Sequence, residues 1–146
     1  MVTGSCLCRA VRFEVEPQGI VASVACQCDN CRKVSGSQFG VYLQVREAAF
    51  RLVAGTEHIA TYESSPGNQR AFCGVCGSVA PIRTHYGAVR VPAGAFDEDP
   101  GIEPGVLIFS GRKKSWCDAG LAERRFDDTG PSEMWRDMVM RLHGTR

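Results

Sequence analysis

Three cysteines fall within six residues in Cys26-Gln27-Cys28-Asp29-Asn30-Cys31. Neighbours at i and i+2 sit too close and point too far apart for an unstrained S–S bond. Thiolates at these spacings can instead converge on one soft or borderline cation, with Zn²⁺ the default candidate. Two further pairs, Cys6/Cys8 and Cys73/Cys76, bring the clustered cysteines to seven of eight. A structural zinc takes four protein ligands in a tetrahedron, whereas a reactive one keeps a position open. The simplest partition closes Cys6, Cys8, Cys73 and Cys76 round one metal. It leaves Cys26, Cys28 and Cys31 holding a second metal with a vacant position.

Cys73-Gly74-Val75-Cys76-Gly77 has the form of a metal knuckle, in which Gly77 accepts positive φ. For the triplet a second structural zinc is the competing reading, with Cys117, His58, His85 or Asp29 as fourth ligand. An iron–sulfur centre or a redox-active thiol set is a third. Cys117, alone after Trp116, reads as a small buried hydrophobe. An open site of three thiolates has its Lewis acidity partly quenched by sulfur donation. It therefore suits a thiol, or a thiol–carbonyl adduct, better than hydrolysis.

The elements that position these clusters read as short strands. Residues 10–16 alternate with period two, and β-branched or aromatic runs recur at 20–25, 39–45, 50–54, 58–62, 79–83, 88–91 and 106–110. Turn signals separate them, most clearly Ser64-Ser65-Pro66-Gly67-Asn68. This is the pattern of a mostly β domain. Helix is expected in two places, a single turn near 46–49 and a C-terminal helix over 131–143. Pro131 would fall in its first turn and Thr129 would cap it. Its apolar stripe of Met134, Trp135, Met138, Val139 and Leu142 would pack on the sheet or on a second subunit, the latter making a homodimer.

At 146 residues the chain is read as a single domain able to bury a real core. Charged residues at 23% and apolar residues at 44% are ordinary, which argues against disorder. A formal charge of +1, turning mildly acidic once thiolates hold zinc, argues against a nucleic-acid partner. No apolar run is long enough to cross a bilayer. The opening Met1–Ser5 has no basic or apolar leader features, and free cysteines suit a reducing compartment, so a cytoplasmic location is expected.

The segments Gly4–Phe13, Cys26–Lys33 and Phe72–Ser78 together resemble the glutathione-dependent formaldehyde-activating enzyme family, over roughly residues 3 to 118. The resemblance implies an Mss4-like, zinc-bound β-tent of short antiparallel strands, here with a C-terminal helical extension at about 129–143. It implies structural zinc on Cys6, Cys8, Cys73 and Cys76, catalytic zinc on Cys26, Cys28 and Cys31, and two zinc ions per chain. It also implies a carbon–sulfur lyase that joins formaldehyde to glutathione, a small-molecule thiol partner. Lys113 and Trp116 match the family's late motif. Members commonly carry histidine where this chain has Gln27, and a His-Ile pair where it has Leu107-Ile108. Arg32, Lys33, Lys113 and Trp116 are the candidate thiol-substrate contacts. Arg112-Lys113-Lys114 reads either as a carboxylate clamp or as a solvated hairpin tip. His85 and Asp29 are the candidate proton carriers. The competing function is a non-catalytic Mss4-like zinc module that binds a protein partner.

Overall fold

A computed structural model describes residues 1–103, 105–117 and 126–144. Ten strands and two α-helices are found among them. The strands are β1 (Val2–Ser5), β2 (Arg12–Val15), β3 (Ile20–Cys26), β4 (Gly40–Arg46), β5 (Phe50–Ala54), β6 (Ile59–Ser65), β7 (Asn68–Cys73), β8 (Ile82–Arg83), β9 (Ala88–Pro92) and β10 (Val106–Ile108). The helices are α1 (Asp29–Ser35) and α2 (Ser132–His143).

The strands form a three-stranded sheet β1-β2-β5, a five-stranded sheet β10-β3-β4-β9-β8, and the hairpin β6-β7. Period-two alternation in β2 turns Phe13 and Val15 inward. They meet Leu43, Val45, Val89 and Val91, and this cluster joins the first two sheets into one core. Burial of such branched and aromatic side chains is the main stabilising term of a small β domain. Helix α2 lies on β3 and β4 and buries Met138 and Leu142, so within the chain its apolar stripe faces the sheet.

Several expectations need correction. The central cysteine segment holds a helix beyond the two places expected: α1 follows Cys28, with Asp29 in its first turn and Arg32 and Lys33 in its last. These charges complement the helix dipole, a local signal outweighed by the metal-ligand spacing. Val2–Ser5, which carries no strand signal of its own, is a strand because it pairs with β2. Residues 68–72 extend the knuckle's approach into β7, paired with β6. The strand pairings are antiparallel as expected, except that β10 runs parallel to β3. Pro131 is the residue before α2 and not within its first turn, and Thr129 makes no side-chain cap. The single turn expected near 46–49 is present, as a 3₁₀ turn at Glu47–Ala49.

Candidate metal centres

The outer cluster is built from two distant turns. Cys6 and Cys8 follow β1, while Cys73 ends β7 and Cys76 lies in the turn after it. All four sulfurs lie within 4.8 Å of one another. Cys6 Sγ is 3.5 Å from Cys8 Sγ, and Cys8 Sγ is 3.9 Å from Cys73 Sγ. Tetrahedral zinc with bonds of ~2.3 Å would set its sulfurs about 3.8 Å apart, so the donors fit such an ion. Gly77 adopts φ +77°, as the knuckle requires. The Leu7 N–H donates to Ser78 Oγ at 3.1 Å and ties the two turns together. Ser78 Oγ also lies 3.3 Å from Cys76 Sγ. As a free thiol Cys76 has its pKa lowered to about 5, chiefly by the hydrogen bond with the Ser78 side chain.

The inner cluster sits where three elements converge. Cys26 is the last residue of β3 and pairs with Gly40 of β4 on one side and Ile108 of β10 on the other. A Cβ at Gly40 would lie 2.7 Å from the Tyr42 ring, so the missing side chain gives that ring its place beside the cysteines. Cys28 caps α1, its sulfur accepting from the Cys31 N–H at 3.4 Å. Cys31 stands in the first turn of the same helix. The three sulfurs lie within 4.8 Å of one another, and no fourth His, Cys, Asp or Glu joins them among the described residues. Val24, Tyr42 and Ile108 pack around Cys26 and Cys31.

None of the candidate fourth ligands reaches this group among the described residues. Cys117 is buried elsewhere, its N–H bonded to Lys114 O. His58 lies near Glu57, His85 stacks edge-on to Tyr86, and Asp29 pairs with Arg32.

Two positive side chains that sequence reasoning did not single out flank the inner cluster. Arg70, on β7, is only 7% exposed. Its Nη2 donates to Cys31 Sγ at 3.7 Å and its Nε to Ser64 Oγ at 3.1 Å, while its Nη1 is buried without a partner. Burial works to lower the Arg70 pKa, but the Cys31 thiolate and neighbouring groups raise it on balance. The Arg90 guanidinium lies 5.4 Å above the Tyr42 ring and donates to Gln69 O at 2.9 Å. Burial and then the charge of Arg70 hold its pKa below the usual value. As a free thiol Cys31 has its pKa lowered to about 6, first by the hydrogen bond from Cys26 and then, against the effect of burial, by Arg70. The same sharing pushes the Cys26 thiol up. The only sequence signal for Arg70 was a charged residue immediately before the apolar approach to Cys73.

The candidate substrate contacts are distributed differently. Arg32 is buried and committed: its guanidinium donates to Gln27 O, to Arg112 O at 2.8 Å, and to the Asp29 carboxylate. It braces the cysteine segment. Lys33, Lys113 and Trp116 are exposed, Trp116 at 67%. Arg112 ends a 3₁₀ turn at Ser110–Arg112, with Lys113 and Lys114 after it, so this stretch is not a hairpin tip. Gln27 is fully buried, and neither its Oε1 nor its Nε2 has a hydrogen-bond partner. A cleft of about 810 Å³ opens beside the outer cluster, and none of Cys26, Cys28, Cys31 or Arg70 lines it. Its lining includes Cys6, Arg9, Val34, Ser35, Tyr42 and Val79. Tyr42 and Val79 also pack against the inner cysteines.

A β-tent with one complete four-sulfur cluster and one three-sulfur cluster defines a class of cysteine metal-site protein. Comparison with known proteins narrows that class. Residues 1–112 match the profile of the family described as glutathione-dependent formaldehyde-activating enzyme, and the chain belongs to that family. A Halomonas elongata protein, whose name assigns it provisionally to glutathione-dependent formaldehyde activation, is 34% identical over 84 residues. That match covers 53% of this chain and 53% of the relative, so the chain spans about half the length of the curated relative it matches. A crystal structure of a Rhodobacter sphaeroides protein superposes with a TM-score of 0.54 at 25% identity, covering 70% of this chain and 91% of the other.

Proposed function

We propose that the chain is a zinc-dependent carbon–sulfur lyase-type enzyme that joins a small thiol such as glutathione to an aldehyde such as formaldehyde. Zinc in the outer cluster would be structural, and zinc in the inner cluster would be reactive. The observation that carries this reading is the unequal donor count: four sulfurs in one group, three in the other, with no fourth ligand residue beside the three among the described residues. When bound there, zinc supplies a soft, electrophilic position that favours a thiol in its thiolate form. The protein's own residues do the rest. Arg70 places a fixed positive charge at Cys31. Val24, Tyr42 and Ile108 keep the immediate surroundings dry. The 810 Å³ cleft has room for a tripeptide-sized thiol, and it borders the inner cysteines through Tyr42 and Val79, which pack against them. Proximity supplies much of the rate enhancement, because thiols add to aldehydes readily without help.

The domain is proposed to work as one unit in a reducing compartment, where its thiols remain available to metal. The direct test is to load the protein with cobalt and titrate it with glutathione. The expected result is a change in the sulfur-to-cobalt absorption confined to one of two sites. Unchanged bands up to millimolar thiol would instead indicate a non-catalytic zinc module that binds a protein partner.

A further inference from the structure

The charges round the inner cluster do not balance. A divalent ion with three thiolates carries one net negative charge, yet two positive charges lie near it, Arg70 on Cys31 and Arg90 over the Tyr42 ring that packs against the cluster. Neither guanidinium meets a carboxylate among the described residues. Arg70 is oriented on two of its three nitrogens, by Cys31 Sγ and Ser64 Oγ, and its third is buried with nothing to bond. An unsatisfied buried guanidinium N–H is costly, and its natural partner is an anionic or strongly dipolar oxygen.

We infer that Arg70 is a catalytic residue whose free Nη1 receives the aldehyde oxygen of the adduct at the inner cluster. The inference rests on the function proposed above and deepens it. As the thiolate sulfur forms its bond to the carbonyl carbon, the C=O π bond breaks and its electron pair moves to oxygen. The negative charge then develops against a donor already in place, which is where a fixed dipole or cation is most effective. A proton from solvent completes the hydroxyl. Ser64 holds the fork in orientation, and Arg90, behind Tyr42, adds the second positive charge.

Two probes separate this role from simple neutralisation of the thiolates: S-hydroxymethylglutathione, formed by equilibrating formaldehyde with glutathione, and S-ethylglutathione, of the same size without the oxygen. Calorimetry on the zinc-loaded wild type should find the hydroxymethyl probe bound about ten- to one-hundredfold more tightly, the range expected for a charge-assisted hydrogen bond. Arg70→Met should retain its zinc and lose that preference. Arg70→Lys, which keeps the charge beside Cys31 should the methionine variant fail to fold, should retain zinc and lose most of it. A preference that survives in the variants, or a wild type that binds both probes equally, would overturn the role of Arg70 and leave the proposed function standing. A wild type that binds neither probe nor glutathione would overturn the proposed function and the role of Arg70 with it.

Discussion

Gln27 shows how one side chain can be held in place by its neighbours against its own solvation preference. It lies between two candidate metal ligands, is 0% exposed, and its amide has no partner. Removing an amide from water without replacing its hydrogen bonds costs about 1–3 kcal/mol on mutational evidence. Gln27→Met, of similar length and without the stranded polar atoms, should therefore raise stability by about 1–2 kcal/mol. Thermal denaturation of the zinc-loaded variant checks this. A lower melting temperature would mean that the amide has a partner in solution. Arg70 carries the opposite lesson. Its stranded nitrogen sits on a fork already oriented by two bonds, and that makes it a receiver for a guest.

Among the elements, α1 is the most dependent on outside support. It has only seven residues, too few to be stable by propensity alone. Cys28 caps its start, and Arg32 anchors it to the Gln27 carbonyl before it and to the Arg112 carbonyl after β10. Arg32→Ala would leave both carbonyls short of a donor and should cost roughly 2–4 kcal/mol. It should also weaken metal binding at the inner cluster while leaving the outer one occupied. Chemical denaturation measures the first effect and a chelator competition the second. Equal loss from both clusters would show that Arg32 braces the whole fold and not α1. Helix α2 is supported in a similar way, its last carbonyls accepting from Arg46 of β4.

On the scale of the whole molecule, the outer cluster links residue 6 to residue 76 and so closes the first half of the chain into a loop. Metal binding to such a site is folding free energy, because the unfolded chain cannot preform it. Cys73 is completely buried beside Val11, within the core. The inner cluster lies at the end of strands that the Phe13 and Leu43 core already holds. The two sites should therefore respond differently to loss of one ligand. Cys28→Ser is expected to reduce zinc from about two to about one per chain with the fold retained. Cys76→Ser should lower the melting temperature sharply. Metal analysis beside thermal melts decides it, and equal destabilisation by the two variants would remove the distinction between a structural and a reactive centre.

The division of the cysteines into four and three was legible in the chain alone, because donor type and short spacing are local and sulfur chemistry does not depend on the fold. The same holds for β2, β4 and β5, whose apolar alternation or β-branched composition marks a pleated strand wherever it packs. The boundaries of β1 and β7 were not legible, because a strand without strong alternation is defined by its partner. Nor was the setting of the inner cluster. Arg70 meets Cys31 across 39 residues, and Arg32 meets the Arg112 carbonyl across 80. Whether a charged side chain braces a loop, faces solvent or waits for a guest depends on what the tertiary structure brings to it, since a guanidinium has the same intrinsic chemistry in all three settings.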